Sequence, residues 1–203
     1  MSDLASAEFV MVRFGEIEDA ILVRARPAPL CGADGSVLGE VRGARIGGRF
    51  AAEFLDNRGR RCCAAFRVWP PGLDEHENQR LRVLSVRHGA NIFGSWQVTG
   101  ESDDPIAYVL PGGPPEMDRR SRRIEYRVTL SLFPVGPPVA LVDGLDITTV
   151  EGELVTRIGV HRGGWRKDVG YGIEHMPSAD DLHRRLGLAV AWIDRDRWRY
   201  SPD

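Results

Sequence analysis

Apolar and polar residues alternate along most of this chain, in short stretches separated by turn-forming residues. In IEYRVTLSLF, one face would carry Ile124, Tyr126, Val128, Leu130 and Leu132. This period of two predicts a strand of an antiparallel sheet, with one buried face and one wet face. Stretches of this kind predict strands at 8–14, 20–26, 37–43, 49–56, 61–69, 81–88, 95–100, 105–111, 124–133, 139–150, 154–161 and 169–175.

The residues between these stretches favour tight hairpin turns. A unit of apolar strand, Asp/Asn/Glu–Gly turn and apolar strand recurs as PLCGADGSVLGEVRG, FLDNRGRRCCAAFRV and ITTVEGELVTRIGV. Asp, Asn and Gly are the residues that such turns require. The spacing of the repeats is irregular, which predicts a sheet built of hairpins and not a solenoid. The polar or Gly/Pro-rich stretches 69–80 and 111–123 are predicted to be exposed connections.

One helix is predicted, at about 178–195. Pro177 stops the last strand, Ser178 is the expected N-cap, and Asp181 would complete a capping box. Residues 186–193, LGLAVAWI, carry no polar side chain. This run is about 12 Å long as a helix, whereas a bilayer needs about 20 apolar residues. The run is therefore predicted to be enclosed by protein and not to span a membrane.

An enclosed helix beside about twelve short strands predicts a closed antiparallel β-barrel with the helix along its axis. Closure removes the sheet edges, and a wide barrel needs something to occupy its centre. The small residues Gly187, Ala189 and Ala191 would let the strands approach the helix. The side chains expected to fill the interior are Leu186, Leu188, Val190, Trp192 and Ile193. The expected organisation is one mainly β domain over residues 1–203.

The chain resembles the tubby C-terminal-like superfamily, which includes LURP-one-related proteins and phospholipid scramblases. The resemblance is carried by a strand with a Tyr-x-Ile kernel at 171–173, an acidic link at 178–181, and a hydrophobic helix that ends in Ile-Asp-Arg at 193–195. Hairpins such as DGSVLGEVR, 34–42, are also similar to units of that family. The resemblance implies a twelve-stranded barrel around the C-terminal helix over nearly the whole chain. It implies no catalytic residues.

Composition narrows the classes of partner. The net charge of −2 provides no global basic field, so nucleic acid is not an expected partner. Three cysteines, two of them adjacent, do not form a disulfide framework. The first residues, MSDLASAEFVMVRFGE, lack the basic and apolar regions of a signal peptide. A cytoplasmic protein is the simplest expectation.

Catalytic and metal-binding signatures are weak. The histidines do not pair as HxH or HExxH, and no nucleophile motif such as GxSxG is present. His175 and His183 flank the start of the helix, with Glu174 and Asp180 nearby, and they are expected to be surface histidines and not metal ligands. The sequence therefore predicts no cofactor, no metal and no enzymatic activity.

Two basic clusters are the candidate binding site. The first is Arg119, Arg120, Arg122 and Arg123, in a stretch that leads into a predicted strand. The second is Arg162, Arg166 and Lys167 around Trp165, in the hairpin HRGGWRKD. Basic residues beside an exposed Trp suit an anionic membrane surface, although a solvated loop with Trp165 folded inward is the alternative.

Two hypotheses about function follow. The first is a non-enzymatic binding or scaffold module, whose partner is an acidic phospholipid headgroup or another protein. The second is a small-molecule-binding β-barrel or barrel enzyme, with an open lumen and the helix packed outside. The hypotheses differ in one feature, because an outside helix would carry a polar stripe along 186–193 and this run has none.

Overall fold

The protein was analysed as a computed structural model, which describes residues 3–13, 27–46, 49–68, 95–111, 125–130, 137–162 and 169–199. The strands are β1 Phe9–Arg13, β2 Ala28–Cys31, β3 Val37–Ile46, β4 Arg49–Asp56, β5 Arg61–Val68, β6 Ser95–Thr99, β7 Pro105–Pro111, β8 Glu125–Thr129, β9 Ala140–Asp143, β10 Asp146–Thr148, β11 Leu154–Arg162 and β12 Val169–His175. A short helix, Asp3–Ser6, precedes β1, and the C-terminal helix is Asp181–Arg199.

The twelve strands close into one antiparallel barrel. Each strand pairs with the next along the chain, and β1 pairs with both β2 and β12. The closing pair is in register from Phe9–Glu174 to Arg13–Gly170. The predicted fold class, a closed antiparallel barrel with a hydrophobic C-terminal helix, is confirmed.

Antiparallel pairing all round the barrel makes the strands alternate in direction, which defines two ends. We call the end where the even-numbered strands finish the turn end, since the turns at 32–36, 56–60 and 149–153 lie there. We call the opposite end, where β1, β5, β7 and β11 finish, the loop end. The C-terminal helix follows β12 and therefore begins at the turn end.

The three repeated sequence units share one turn geometry. In each turn the first residue donates its backbone N–H to the carbonyl of the fifth, and a glycine at the fourth position donates to the first. These glycines, Gly35, Gly59 and Gly152, have φ angles of 81°, 74° and 90°. Such positive φ angles are accessible to glycine at little cost. The recurring Gly in the sequence therefore marks one hairpin type used three times at the turn end.

The helix begins later and ends later than predicted. The predicted N-cap, Ser178, is wrong, because Met176–Ala179 form a turn in which the Ala179 N–H donates to the Met176 carbonyl at 2.9 Å. Asp180 caps the helix instead, and its carboxylate accepts the backbone N–H of His183 at 2.8 Å. The helix then continues past the predicted end at 195 to Arg199.

The apolar run of the helix lies in the main core of the barrel. Its large side chains are at most 6 % exposed: Leu186, Leu188, Val190, Trp192 and Ile193. The strands approach the helix closely at Gly187, since a Cβ there would lie 2.7 Å from Cε1 of His175 and 2.9 Å from Cγ2 of Ile173. An outside helix with an open lumen is therefore not the arrangement of this protein.

Several predicted strands differ from the observed ones. The strand predicted at 124–133 ends at Thr129, so Val128 is buried as expected but Leu130 is exposed. The stretch 139–150 is two strands, divided by a turn at Gly144, whose φ is 64°. The predicted strands 20–26 and 81–88 lie outside the described residues.

The short N-terminal helix was not predicted. Four residues are too few to show a helical period in the sequence. Its Leu4 is buried in the main core.

We expect deletion of 178–203 to yield an insoluble chain and not a smaller folded barrel. The five large side chains of the helix contribute about 1.5–3 kcal/mol each when buried, a sum of roughly 7–15 kcal/mol. That sum matches the whole stability of an ordinary domain, about 5–15 kcal/mol. Solubility on expression and thermal unfolding of a 1–177 chain would measure the effect.

Co-expression of 178–203 as a separate peptide is the control and should restore soluble protein. A 1–177 chain that is soluble and melts cooperatively would contradict the prediction.

Candidate functional site

Most of the predicted basic site lies outside the described residues. This applies to Arg119, Arg120, Arg122, Arg123, Trp165, Arg166 and Lys167. Arg162 is the last residue of β11. The first cluster lies in the chain between β7 and β8, and the second between β11 and β12. In both cases the chain leaves the described barrel and re-enters it at the loop end. The site itself stays a prediction.

A buried hydrogen bond joins the barrel wall to the helix near the loop end. The Tyr171 hydroxyl donates to Oδ2 of Asp194 at 3.0 Å, and both side chains are buried. Tyr171 belongs to the Tyr-x-Ile kernel of β12, and Asp194 to the Ile-Asp-Arg end of the helix. Sequence reasoning quoted both motifs but did not pair them. The available signal was that both side chains carry a polar atom in an otherwise apolar setting, where a buried polar atom needs a hydrogen-bond partner.

A second aromatic and basic contact lines the same part of the interior. The guanidinium of Arg67 lies over the ring of Trp96, with its carbon 5.6 Å from the ring centroid. The two residues are direct partners on β5 and β6, and Trp96 is fully buried. Such stacking lets a charged residue occupy an apolar interior at reduced cost. With Tyr171 and Asp194, this contact makes the interior polar towards the loop end.

At the turn end, two arginines attach the start of the helix to the barrel. Arg184 donates to the carbonyls of Ala7, at 2.7 Å, and Ala179, at 3.2 Å. Arg185 donates to the carbonyl of Cys62 and forms an ion pair with Asp181 at 2.8 Å. Sequence reasoning missed both arginines. The available signal was their position directly before the apolar run 186–193. A pair of arginines there can bury its aliphatic stems and place its charged groups at the edge of the core.

The prediction that His175 is a surface residue is wrong. Its side chain is 5 % exposed and faces the interior, because it continues the inward positions Tyr171 and Ile173 of β12. Its Nδ1 shares a hydrogen bond with the Thr156 hydroxyl at 3.0 Å. Burial, and secondarily the charge of Arg184, lower the pKa of His175 to about 4, so the ring is neutral near pH 7.

His183, the other histidine near the helix start, is half-buried. Its Nδ1 lies 2.7 Å from the capping carboxylate of Asp180. In the described part of the chain, no group of three or more His, Cys, Asp and Glu side chains is placed to hold a metal ion. Within the same residues, no helix has the length and apolar character needed to cross a bilayer.

The adjacent cysteines lie at an irregularity of the barrel wall. The pairing of β4 with β5 shifts between Phe54–Cys63 and Leu55–Arg61, which leaves Cys62 as the extra residue of a β-bulge. Both side chains are buried and neither is in a disulfide, and burial raises the pKa of Cys63. A raised pKa disfavours the reactive thiolate at Cys63, and both cysteines pack in the main core.

Exposed apolar surface is sparse on the part of the barrel that the structure describes. Large exposed apolar residues are Val37, Leu130 and Val150, which stand at separate turns. Outward-facing Phe66, Val68 and Tyr108 form a second apolar cluster with Ala51, but that cluster is buried. These residues therefore offer no broad apolar surface for a partner.

No family model matches the chain, and no curated protein matches it at a significant level. A crystal structure of a protein from Arabidopsis thaliana is similar in fold over 94% of each chain, with a TM-score of 0.44 and 14% sequence identity.

We expect Gly187→Ala to destabilise the protein, although glycine-to-alanine changes inside helices usually stabilise by about 1 kcal/mol. The added Cβ would lie under 3.0 Å from the buried His175 ring and from Ile173. Overpacking of this kind costs about 1–3 kcal/mol and should outweigh the gain in helix propensity. Urea unfolding would measure it. Gly159→Ala is the control, because its nearest atom would be 3.9 Å away. A Gly187→Ala protein more stable than the parent would contradict the prediction.

We expect Tyr171→Phe to lower the free energy of unfolding by about 1–3 kcal/mol, because it removes a buried donor from the Asp194 carboxylate. Chemical denaturation monitored by circular dichroism would measure the change. Tyr108→Phe makes the same chemical change in the outer apolar cluster and serves as the matched control. Equal losses in the two variants would show that the bond to Asp194 contributes nothing of its own.

Proposed function

We propose that this protein is a non-enzymatic binding module that docks on acidic phospholipid headgroups through basic segments at its loop end. The proposed contact residues are Arg162, Trp165, Arg166 and Lys167, together with Arg119, Arg120, Arg122 and Arg123. In this proposal the outer surface of the barrel recognises the lipid headgroup, and the barrel interior has a structural role.

The observation that carries this proposal is the filled interior. The helix run from Leu186 to Ile193 is buried in the same core as the inward side chains of the strands. A small-molecule-binding barrel needs an open lumen, and that hypothesis depended on a helix packed outside. With the centre occupied by the chain's own helix, the outer surface and the ends of the barrel are what remain for a partner.

The alternating strand directions support a single basic face. The chain leaves the described barrel for the first cluster after β7 and for the second after β11, and both strands finish at the loop end. Basic residues near a charged membrane surface contribute about 1 kcal/mol each, and a Trp ring favours the headgroup level. Because the net charge is −2, such binding depends on this local concentration of arginines and not on the whole molecule.

The family resemblance points in the same direction. Tubby domains bind phosphoinositides through basic residues on the barrel, and this chain resembles them in its strand kernel and its enclosed helix. None of the three cysteines is in a disulfide, which suits a reducing compartment. We therefore propose the cytoplasmic leaflet, which carries the anionic lipids, as the surface.

We expect the triple variant Arg162→Glu, Arg166→Glu and Lys167→Glu to lose binding to anionic vesicles. Three contacts of about 1 kcal/mol each correspond to a loss of at least about a hundredfold in affinity. Co-sedimentation with vesicles of phosphatidylcholine alone, with phosphatidylserine, and with a phosphoinositide, each at two salt concentrations, would measure it. Binding by the parent should require the anionic lipid and weaken at the higher salt concentration.

The control for charge is a second triple variant, Arg42→Glu, Arg58→Glu and Arg157→Glu. These three arginines are exposed on β3, in the 56–60 turn and on β11, outside the loop end, and their reversal changes the net charge equally. The control should lose much less affinity than the cluster variant. If the parent shows no salt-sensitive binding, or if the two variants lose affinity equally, the lipid proposal is wrong. Capture of a protein in a pull-down would then favour a protein partner.

A further inference from the structure

Four segments meet at one junction at the turn end of the barrel: the chain before β1, the end of β12, the start of β11, and the first turns of the C-terminal helix. The His175 backbone N–H donates to the Glu8 carbonyl at 2.7 Å. Arg184 donates to the neighbouring Ala7 carbonyl, also at 2.7 Å. The N-terminal segment is therefore bonded to both β12 and the helix at the same place.

His175 is the side chain at the centre of this junction. Its ring is buried and shares a hydrogen bond with Thr156 of β11. The ring also packs directly against Gly187 of the helix, because a Cβ there would stand 2.7 Å from Cε1. The ring thus contacts both the wall and the helix, and any change in its charge acts on both.

The charged groups around the ring make an added proton costly. The helix presents Arg184, whose charge opposes protonation of His175. Asp180 and His183, on the first turn, lie 2.7 Å from each other. Glu8 of the N-terminal segment is exposed and contributes its backbone carbonyl to the junction.

The described residues of β11 and β12 add no negative counter-charge on the inner side. Thr156 contributes a hydroxyl from β11, and the neighbouring Arg157 and Glu174 are exposed on the outer face. A protonated ring would therefore lie in an apolar interior beside another cation, which is strongly unfavourable.

We propose that this junction is an acid-sensitive lock, in which protonation of His175 releases the start of the C-terminal helix and the N-terminal segment together while the barrel wall stays paired. The release would expose the side chains that close the turn end, Leu4 among them. This inference is independent of the proposed lipid binding.

The direction and size of the pH effect follow from linkage. The pKa of His175 is about 4 in the closed state and should return towards 6.5 when the junction opens. Between these values the open state binds more protons, so the closed state loses stability as the pH falls from 6.5 to 4. The opening equilibrium should rise about 25-fold between pH 7 and pH 5.

Amide hydrogen exchange of the full-length protein at pH 7 and pH 5, corrected for intrinsic exchange rates, tests the proposal. The protection factors of amides near the start of the helix and around Glu8 should fall about 25-fold, while those of the β3–β4 pair should stay constant. In His175→Gln, which keeps a polar side chain but cannot titrate, the fall should disappear. His161→Gln, at an exposed histidine of β11, is the matched control and should behave as the parent.

A second measurement needs no variant and decides the matter if His175→Gln does not fold. Titration of the histidine ring carbon-bound protons by NMR should show one ring, that of His175, with a pKa near 4. A His175 ring that titrates near 6.5 would overturn the proposal. So would an equal fall in protection in His175→Gln, or an equal fall in the β3–β4 strands, which would indicate global unfolding and not a local lock.

Discussion

A closed sheet of twelve strands surrounds more space than its own inward side chains can fill, and the rest of this structure depends on how that space is occupied. A void there would forfeit van der Waals contacts along every strand. The C-terminal helix fills the space with Leu186, Leu188, Val190, Trp192 and Ile193, while Gly187 lets the wall approach. The barrel and the helix are therefore one packing unit, and neither surface would be stable in water alone.

Apolar packing is not directional, so it does not by itself fix how far the helix is inserted or how it is rotated. Polar contacts at both ends supply that information. At the turn end, Arg184 and Arg185 bond to backbone carbonyls of the barrel and of the segment before it. Towards the loop end, Tyr171 bonds to Asp194. A shift of the helix by one turn would break the contacts at both ends at once, which selects a single register.

Much of this architecture was predictable, because its determinants are local in sequence. The period-two pattern defined most strands, and the unbroken run LGLAVAWI required enclosure. The helix start was not predictable in the same way, because Pro177 and Ser178 form a turn whose geometry moves the cap to Asp180. His175 was misjudged by residue type, although its spacing from Tyr171 and Ile173 already placed it on the inner face. The basic clusters were visible only as composition.

The closing pair of the barrel has a consequence for synthesis on the ribosome. β1 has one neighbour in β2, but its other neighbour is β12, and the helix that fills the centre follows β12 along the chain. β1 keeps an open edge until β12 has emerged, and the inward side chains of the strands lack the helix at their centre until residue 193 has emerged. The nascent chain must therefore remain soluble with its core incomplete until the helix has emerged, and cooperative folding of the barrel becomes possible only then.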